Sequence, residues 1–178
     1  AYCIEVAARA GRAFCVLDRP DPIGGTDVEG GPIAEEAASF VGGYGLPPRT
    51  GFTVGEYASY LRGEYFPAAR VEVIRLQGWR RSMFFGETGL PWLAPSPNIP
   101  SVETALVYPG TCLFEGTNVS EGRGTTRPFE TIGAPWIDGG ELNSFARYLR
   151  DYLLSEEVSG ELVRRLMPVV NLKTKDEA

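Results

Sequence analysis

Ala13-Phe14-Cys15-Val16-Leu17 is an uninterrupted apolar run, and Asp18-Arg19-Pro20-Asp21-Pro22 follows it at once. A short apolar run without polar alternation predicts a strand buried on both faces, as in a parallel sheet. Upstream, residues 2–10 read as the end of a helix, with Ile4 and Ala8 on one face and Gly11 as its stop. Helix, tight turn and buried strand make half of a βαβ unit, whose first strand is expected upstream of Ala1. The fold class predicted is therefore α/β: part of a Rossmann-like parallel or mixed sheet with helices, followed by the start of a smaller C-terminal domain.

Working outward, residues 18–52 are rich in Gly and Pro and carry little periodicity, which predicts a long functional loop or a set of turns. Thr53-Val54-Gly55-Glu56 is a capping box and predicts a helix to about Arg62. Val71 to Leu76 alternates and predicts a strand. Ser101 is placed to cap a short helix near residues 102–107, and Cys112-Leu113-Phe114 reads as a strand. Asp138-Gly139-Gly140-Glu141 is a second capping box. It opens a helix that places Leu142, Phe145, Ala146, Leu149 and Leu153 on one face. A further amphipathic turn is predicted at Leu162, Val163 and Leu166, ending at Pro168. The polar tail 171–178, which holds both lysines (Lys173 and Lys175), is expected to be disordered. The domain division predicted is 1–92, 93–170 and the tail 171–178.

Composition removes several classes of function. With 178 residues, 43% hydrophobic and 22% charged, the chain suits one globular domain, or one and a fraction. A net charge of −6 and pI near 4.8, with Arg80-Arg81 and Arg164-Arg165 as isolated cationic pairs, argue against nucleic acid. No apolar run is long enough for membrane insertion, and no signal peptide is visible. The three cysteines, Cys3, Cys15 and Cys112, are too few and too scattered for a disulfide framework. Histidine is absent, so Ser-His and Cys-His nucleophile pairs are excluded and acid–base chemistry falls to carboxylates, tyrosines or lysines. No metal site is expected.

Three segments carry candidate chemistry. Asp18 and Arg19 follow the strand, at the end of a sheet where α/β proteins bind ligands. The alternative is a strand-end turn in which they pair with each other or with the backbone. In Pro95-Ser96-Pro97-Asn98-Ile99-Pro100, alternate prolines predict an extended backbone presenting Ser96 and Asn98 as fixed polar groups, or else simply a rigid connection. The richest segment runs from Phe114 to Glu130. There Glu115 and Glu121 are candidate acid, base or hydroxyl acceptor, and Arg123 and Arg127 are candidate carboxylate clamps. Asn118, Thr125 and Thr126 suit sugar hydroxyls or amides. A surface loop held by Glu–Arg ion pairs is the competing reading. The segment lacks the Gly-Lys-Ser/Thr ending of a phosphate loop. Trp92 is the best candidate for a ring-stacking platform.

The stretches VLDRPDPIGG, VEGGPI, SFVGGYGLPPRTGFTVGEYA and LPWLAPSPNIPSVETALVYPGTCLFEGTNVSEGRGTTRPFETIGAPWID, taken in order, resemble the successive motifs of the bacterial exo-β-N-acetylmuramidase family. That family was formerly catalogued as a domain of unknown function. The resemblance spans about Ala1 to Asp138 and is most specific from Pro95 onward. It implies a glycoside hydrolase of peptidoglycan turnover that removes terminal N-acetylmuramic acid from the non-reducing end of cell-wall fragments, with no cofactor. It also implies an extracytoplasmic location and a Rossmann-like domain followed by a smaller one. Glu121 is the carboxylate assigned to catalysis. Asp18, Arg19, Ser96, Asn98, Glu115, Asn118, Arg123, Thr125, Thr126 and Arg127 are assigned to substrate binding.

The sequence also departs from the family pattern. The family's suspected acid lies in a Phe-Gly-Pro-Glu-His-Gly-like segment that this sequence lacks. Thr50 stands where the resemblance would place a histidine, and no β-rich continuation is recognisable after Asp138. Because glycoside cleavage normally needs two groups flanking the bond, the expectation is a chain that is catalytically incomplete taken alone. The alternatives are a non-catalytic saccharide-binding fragment and a truncated inactive family member.

Overall fold

The computed structural model describes residues 1–155, with side chains to residue 147. The amphipathic turn at 162–166 and the tail 171–178 lie outside the described residues. Contacts divide the chain into two compact units, Ala1–Pro91 and Trp92–Ala178.

The first unit holds helix α1 (Tyr2–Arg9), strand β1 (Ala13–Leu17), helix α2 (Val54–Glu64) and strand β2 (Arg70–Ile74). β1 and β2 pair in parallel, with Val16 opposite Val73 and Leu17 opposite Ile74. α1 ends where the sequence predicts: Gly11 adopts φ +64, which a residue with a side chain resists. α2 runs two residues past the predicted Arg62. Its cap is the predicted box, in which Thr53 Oγ1 accepts the Glu56 amide and the Glu56 carboxylate accepts the Thr53 amide. The core gathers Ile4 of α1, Val16 of β1, Ala58 and Leu61 of α2, and Ala69. Phe14, Val71 and Val73 pack against it from the same face of the sheet.

β1 departs from its prediction. Phe14 and Val16 point into the core, but Ala13, Cys15 and Leu17 are exposed, Leu17 at 72%. Ile74, opposite Leu17, is 50% exposed. The physical reason is that α1 and α2 contribute to one core on one face of the sheet, and no described element packs over the other. The apolar composition that parallel sheets carry on both sides is present, with only one side covered. Residues 18–52 form turns and isolated bridges (Glu29 with Arg49, Ser39 with Gly42) around one short 3-10 turn, Glu35–Ala37.

The second unit holds α3 (Val102–Thr111) and α4 (Gly139–Ser155). α3 runs beyond the predicted residue 107 and passes through Pro109, and Cys112 continues it into a 3-10 helix, Cys112–Gly116. The predicted strand at Cys112–Phe114 is therefore corrected to a helical turn. Without a partner strand, local hydrogen bonds to the preceding turn satisfy this backbone. Burial pushes the Cys112 thiol above its ordinary pKa, a direction that disfavours the thiolate.

α4 is opened by Asp138, whose Oδ1 accepts the Glu141 amide at 3.0 Å. Phe145, predicted on the buried face, is 57% exposed, because no described neighbour covers that stretch. The side chains of Leu149 and Leu153 lie outside the described residues.

Candidate functional site

In the first unit, charged side chains gather where β1 and β2 end. Asp18 leaves β1 with its amide bonded to the Ile74 carbonyl at 3.0 Å. Its Oδ1 accepts the amides of Gly55 (2.7 Å) and Arg19 (2.9 Å), and its Oδ2 accepts the Thr53 hydroxyl at 3.1 Å. A carboxylate placed on the first amides of a helix satisfies orphan donors and complements the helix dipole. Gly55 is what permits the approach: a Cβ there would lie 2.5 Å from Val73 Cγ1 and 2.8 Å from Asp18 Cγ. Asp18 thus fastens α2 to the strand end, as in the backbone-paired alternative. Arg19 is exposed.

Around this anchor, Glu56 forms an ion pair with Arg81, whose Nη1 donates to the carbonyls of Gly25 and Gly51, each at 3.0 Å. Gly51 has φ +65, and a Cβ on Gly25 would meet the Trp79 ring at 2.9 Å, so both loops close only on glycine. Arg49, 3% exposed, donates to Glu29, to Asp27 (3.1 Å) and to the Ile23 carbonyl (2.8 Å). Its Nε and the Trp79 indole N–H are buried without a partner. Asp21 accepts the Ile23 amide at 3.0 Å. Burial raises its pKa, against the pull of the Ile23 amide and Arg49, with Glu56 adding to the rise. A carboxyl shifted in this direction has the character of a proton donor.

Clefts open in this unit. One, of about 320 Å³, is lined by Ile33, Pro47, Thr50, Phe52, Val54 and Tyr57 among others. The second, about 660 Å³, lies between α2 and β2 and begins at Asp18.

In the second unit, the loop of residues 114–130 brings several predicted residues together. Arg123 pairs with Glu115 and, through Nε at 3.0 Å, with Glu121. Its guanidinium sits 5.4 Å from the centroid of the Phe129 ring, within cation–π range. Phe129 is 2% exposed, adopts φ 62 and meets Tyr108 edge-on at 4.8 Å. A large side chain in the left-handed region is costly. Here the Phe129 amide bonds to the Glu121 carbonyl at 2.6 Å, and burial of the ring holds the conformation. The Glu121 carboxyl lies below its ordinary pKa, held there by its own backbone amide and then by Arg123.

Arg127 turns instead to Glu130, whose side chain is 7% exposed and accepts from the fully buried Thr104 and from Ser101. Glu130 and Thr104 are polar anchors that pattern reading missed. Only the short spacing of Ser101 and Thr104 at a helix start hints at them. Thr125 Oγ1 donates to the Gly122 carbonyl at 2.6 Å and is spent on a turn. Asn118 and Thr126 are exposed.

The Pro95–Pro100 stretch is not extended as predicted. Ser96 Oγ accepts the Asn98 amide and the Ser96 carbonyl accepts the Ile99 amide, which closes a turn. A serine able to bond its own backbone two residues on offsets the extended preference of its prolines. Trp92 Nε1 reaches the Ile99 carbonyl at 3.4 Å.

Residues 1–103 match the family model described as exo-beta-N-acetylmuramidase NamZ, N-terminal, and residues 106–160 match its C-terminal counterpart. The chain belongs to the exo-β-N-acetylmuramidase NamZ family. Over 142 residues it is 51% identical to the peptidoglycan β-N-acetylmuramidase NamZ of Bacillus subtilis (strain 168), which covers 80% of this chain and 34% of the relative. Two crystal structures of DUF1343 family proteins from Bacteroides fragilis also resemble it. One superposes with a TM-score of 0.76 at 36% identity, over 82% of this chain and 39% of that one. The other gives 0.66 at 38% identity, over 74% and 37%. The chain thus spans 34–39% of the length of these relatives. The C-terminal family match continues past Asp138, beyond the motifs that carry the resemblance, and spans the whole of α4.

Proposed function

We propose that this chain carries the substrate-holding part of a glycoside hydrolase. That hydrolase removes non-reducing terminal β-linked N-acetylmuramic acid from peptidoglycan fragments outside the cytoplasmic membrane. The observation that carries this reading is the 51% identity to a protein named for peptidoglycan β-N-acetylmuramidase activity. The chemistry of the second unit is compatible with it. N-acetylmuramic acid presents a lactyl carboxylate, an acetamido group and hydroxyls. Arg123, already between two carboxylates, accepts a sugar carboxylate by exchange for Glu115, with no new charge to bury. Asn118 and Thr126 stay exposed for amide or hydroxyl contacts.

Glu121 is held ionised, because its pKa is lowered. That suits a base, nucleophile or electrostatic stabiliser rather than the group that protonates the leaving oxygen.

The test is release of nitrophenol from 4-nitrophenyl β-N-acetylmuramide, paired with calorimetry of N-acetylmuramic acid binding. Turnover that falls about a hundredfold or more in Glu121→Gln supports the catalytic assignment, and undiminished turnover removes Glu121 from it. Sugar binding without turnover, weakened in Arg123→Ala, leaves a saccharide-holding role alone. Neither binding nor turnover overturns the reading.

A further inference from the structure

The cleft between α2 and β2 is not used by the reading above. Its walls are Gly55, Glu56, Ser59 and Arg62 on the helix and Val71 and Val73 on the strand with Arg75 just past its end, and Phe52 and Tyr60 are the aromatic sides. Residues 55, 59 and 62 share one face of a helix, and 71 and 73 share one face of a strand. The cleft is therefore a groove running the length of both elements.

Its charges are unequal in kind. The acids that line it are already occupied: Asp18 by two amides and a hydroxyl, and Glu56 by Arg81 and the Thr53 amide. Among the described residues Arg62 and Arg75 have no hydrogen-bond or ion-pair partner, so the unspent charge in the groove is positive.

The topology sets these cations apart. The Asp18 amide meets the Ile74 carbonyl and Gly55 abuts Val73, so Arg75 sits at the Asp18 end. Arg62 is in the last turn of α2, at the far end. Gly55 to Arg62 spans about 10 Å at about 1.5 Å rise per residue. Between the cations lie two valines, the Phe52–Tyr60 ring pair with centroids 5.8 Å apart, and Ser59. A cation in the last helical turn favours the helix dipole, which gives Arg62 a structural role. The same argument does not reach Arg75, which stands beyond the strand and lines the same groove.

We propose that this groove binds a small dianionic ligand of roughly sugar length, with an acidic group paired to Arg62 at one end and to Arg75 at the other. The carbon skeleton lies on the valine floor and the ring wall. Guanidinium forks pair with carboxylate or phosphate oxygens alike, so the two sources are separated by the probes. None of the residues used in the muramate assignment, Glu115, Asn118, Glu121, Arg123 and Thr126, lines this groove. A protein without muramidase activity that still binds the probes leaves this inference standing, and an active protein that ignores them sinks it alone.

The test titrates the intact chain with D-glucarate, fructose 1,6-bisphosphate and uncharged glucose, followed by calorimetry and by the arginine side-chain resonances in NMR spectra. Saturable binding is expected for at least one dianion and not for glucose, and which dianion binds names the acidic group. Arg62→Gln and Arg75→Gln should each weaken binding fivefold or more. Arg12→Gln, which removes an exposed charge outside the groove, should leave it unchanged. Circular dichroism of each variant checks that the fold is kept. Absence of saturable binding, equal binding of glucose, or equal weakening by Arg12→Gln overturns the proposal. So does retention of full affinity in both groove variants.

Discussion

Arg49 and Arg123 each bridge two carboxylates, yet they do opposite work. Arg49 is 3% exposed and also holds the Ile23 carbonyl, so one side chain fixes a turn and a loop bridge that no regular element supports. The Arg123 side chain is 48% exposed, and its pairs with Glu115 and Glu121 lie within one loop. A guanidinium removed from water must keep its partners or leave charges stranded, whereas an exposed one trades them for water at little cost. Identical residue types thus make a buried fastener in the first unit and an exposed loop pair in the second.

The largest test of this contrast is Arg49→Met, which strips the partner from the Ile23 carbonyl and from two half-exposed carboxylates and should cost about 2–4 kcal/mol of stability. Urea unfolding would read it, and a loss under about 1 kcal/mol would mean the network is not the fastener described. Next comes Gly55→Ala. The added methyl meets Val73 and Asp18 at 2.5 and 2.8 Å, so a loss of about 1–3 kcal/mol is expected from overpacking. An unchanged unfolding midpoint would show that α2 can lift off the strand end without Asp18.

Asp21→Asn sharpens the picture through pH. The folded-state pKa of Asp21 is raised, so the folded chain holds that proton more tightly than the unfolded one. The stability linked to it is present below the ordinary value of 3.8 and is lost as pH rises through the folded pKa. Asparagine keeps the acceptor for the Ile23 amide and removes the charge. The variant should be the more stable protein at pH 7, by up to about 1 kcal/mol, with the advantage shrinking towards pH 3. An advantage that grows as pH falls would contradict the assigned direction.

The smallest expected stability change is for Arg123→Ala, because exposed ion pairs contribute little. Its signature is elsewhere: the Glu121 carboxyl should titrate closer to the ordinary glutamate range, as read by NMR. A destabilisation as large as that of Arg49→Met would erase the contrast between the two arginines.

Much of this was legible in the chain itself. Thr53 and Glu56 announce α2, Gly11 ends α1, and Asp138 opens α4, because each acts through atoms a few residues away. The motifs from Asp18 to Asp138 also carry the family, since they are ordered blocks rather than periodic patterns. What escaped reading were acts between distant residues. Glu130 bonding Thr104, Asp18 capping a helix that starts well downstream, and Arg49 spanning its loop leave no periodic trace. The Ser96 turn escaped for another reason, since two local preferences competed and only the closed hydrogen bonds show which prevailed.

The sequence by itself determined where α1 stops, where α2, α3 and α4 begin, that β1 would be apolar, and which family the chain joins. Those properties follow from neighbouring side chains and from the order of motifs. Only the tertiary structure decided that β1 is covered on one face among the described residues, that Cys112–Phe114 winds instead of pairing, and which carboxylates are buried anchors rather than exposed partners. Burial and pairing depend on what packs in from elsewhere in the chain. A residue's chemistry is local, but its exposure to water, which sets how much its charge contributes, is not.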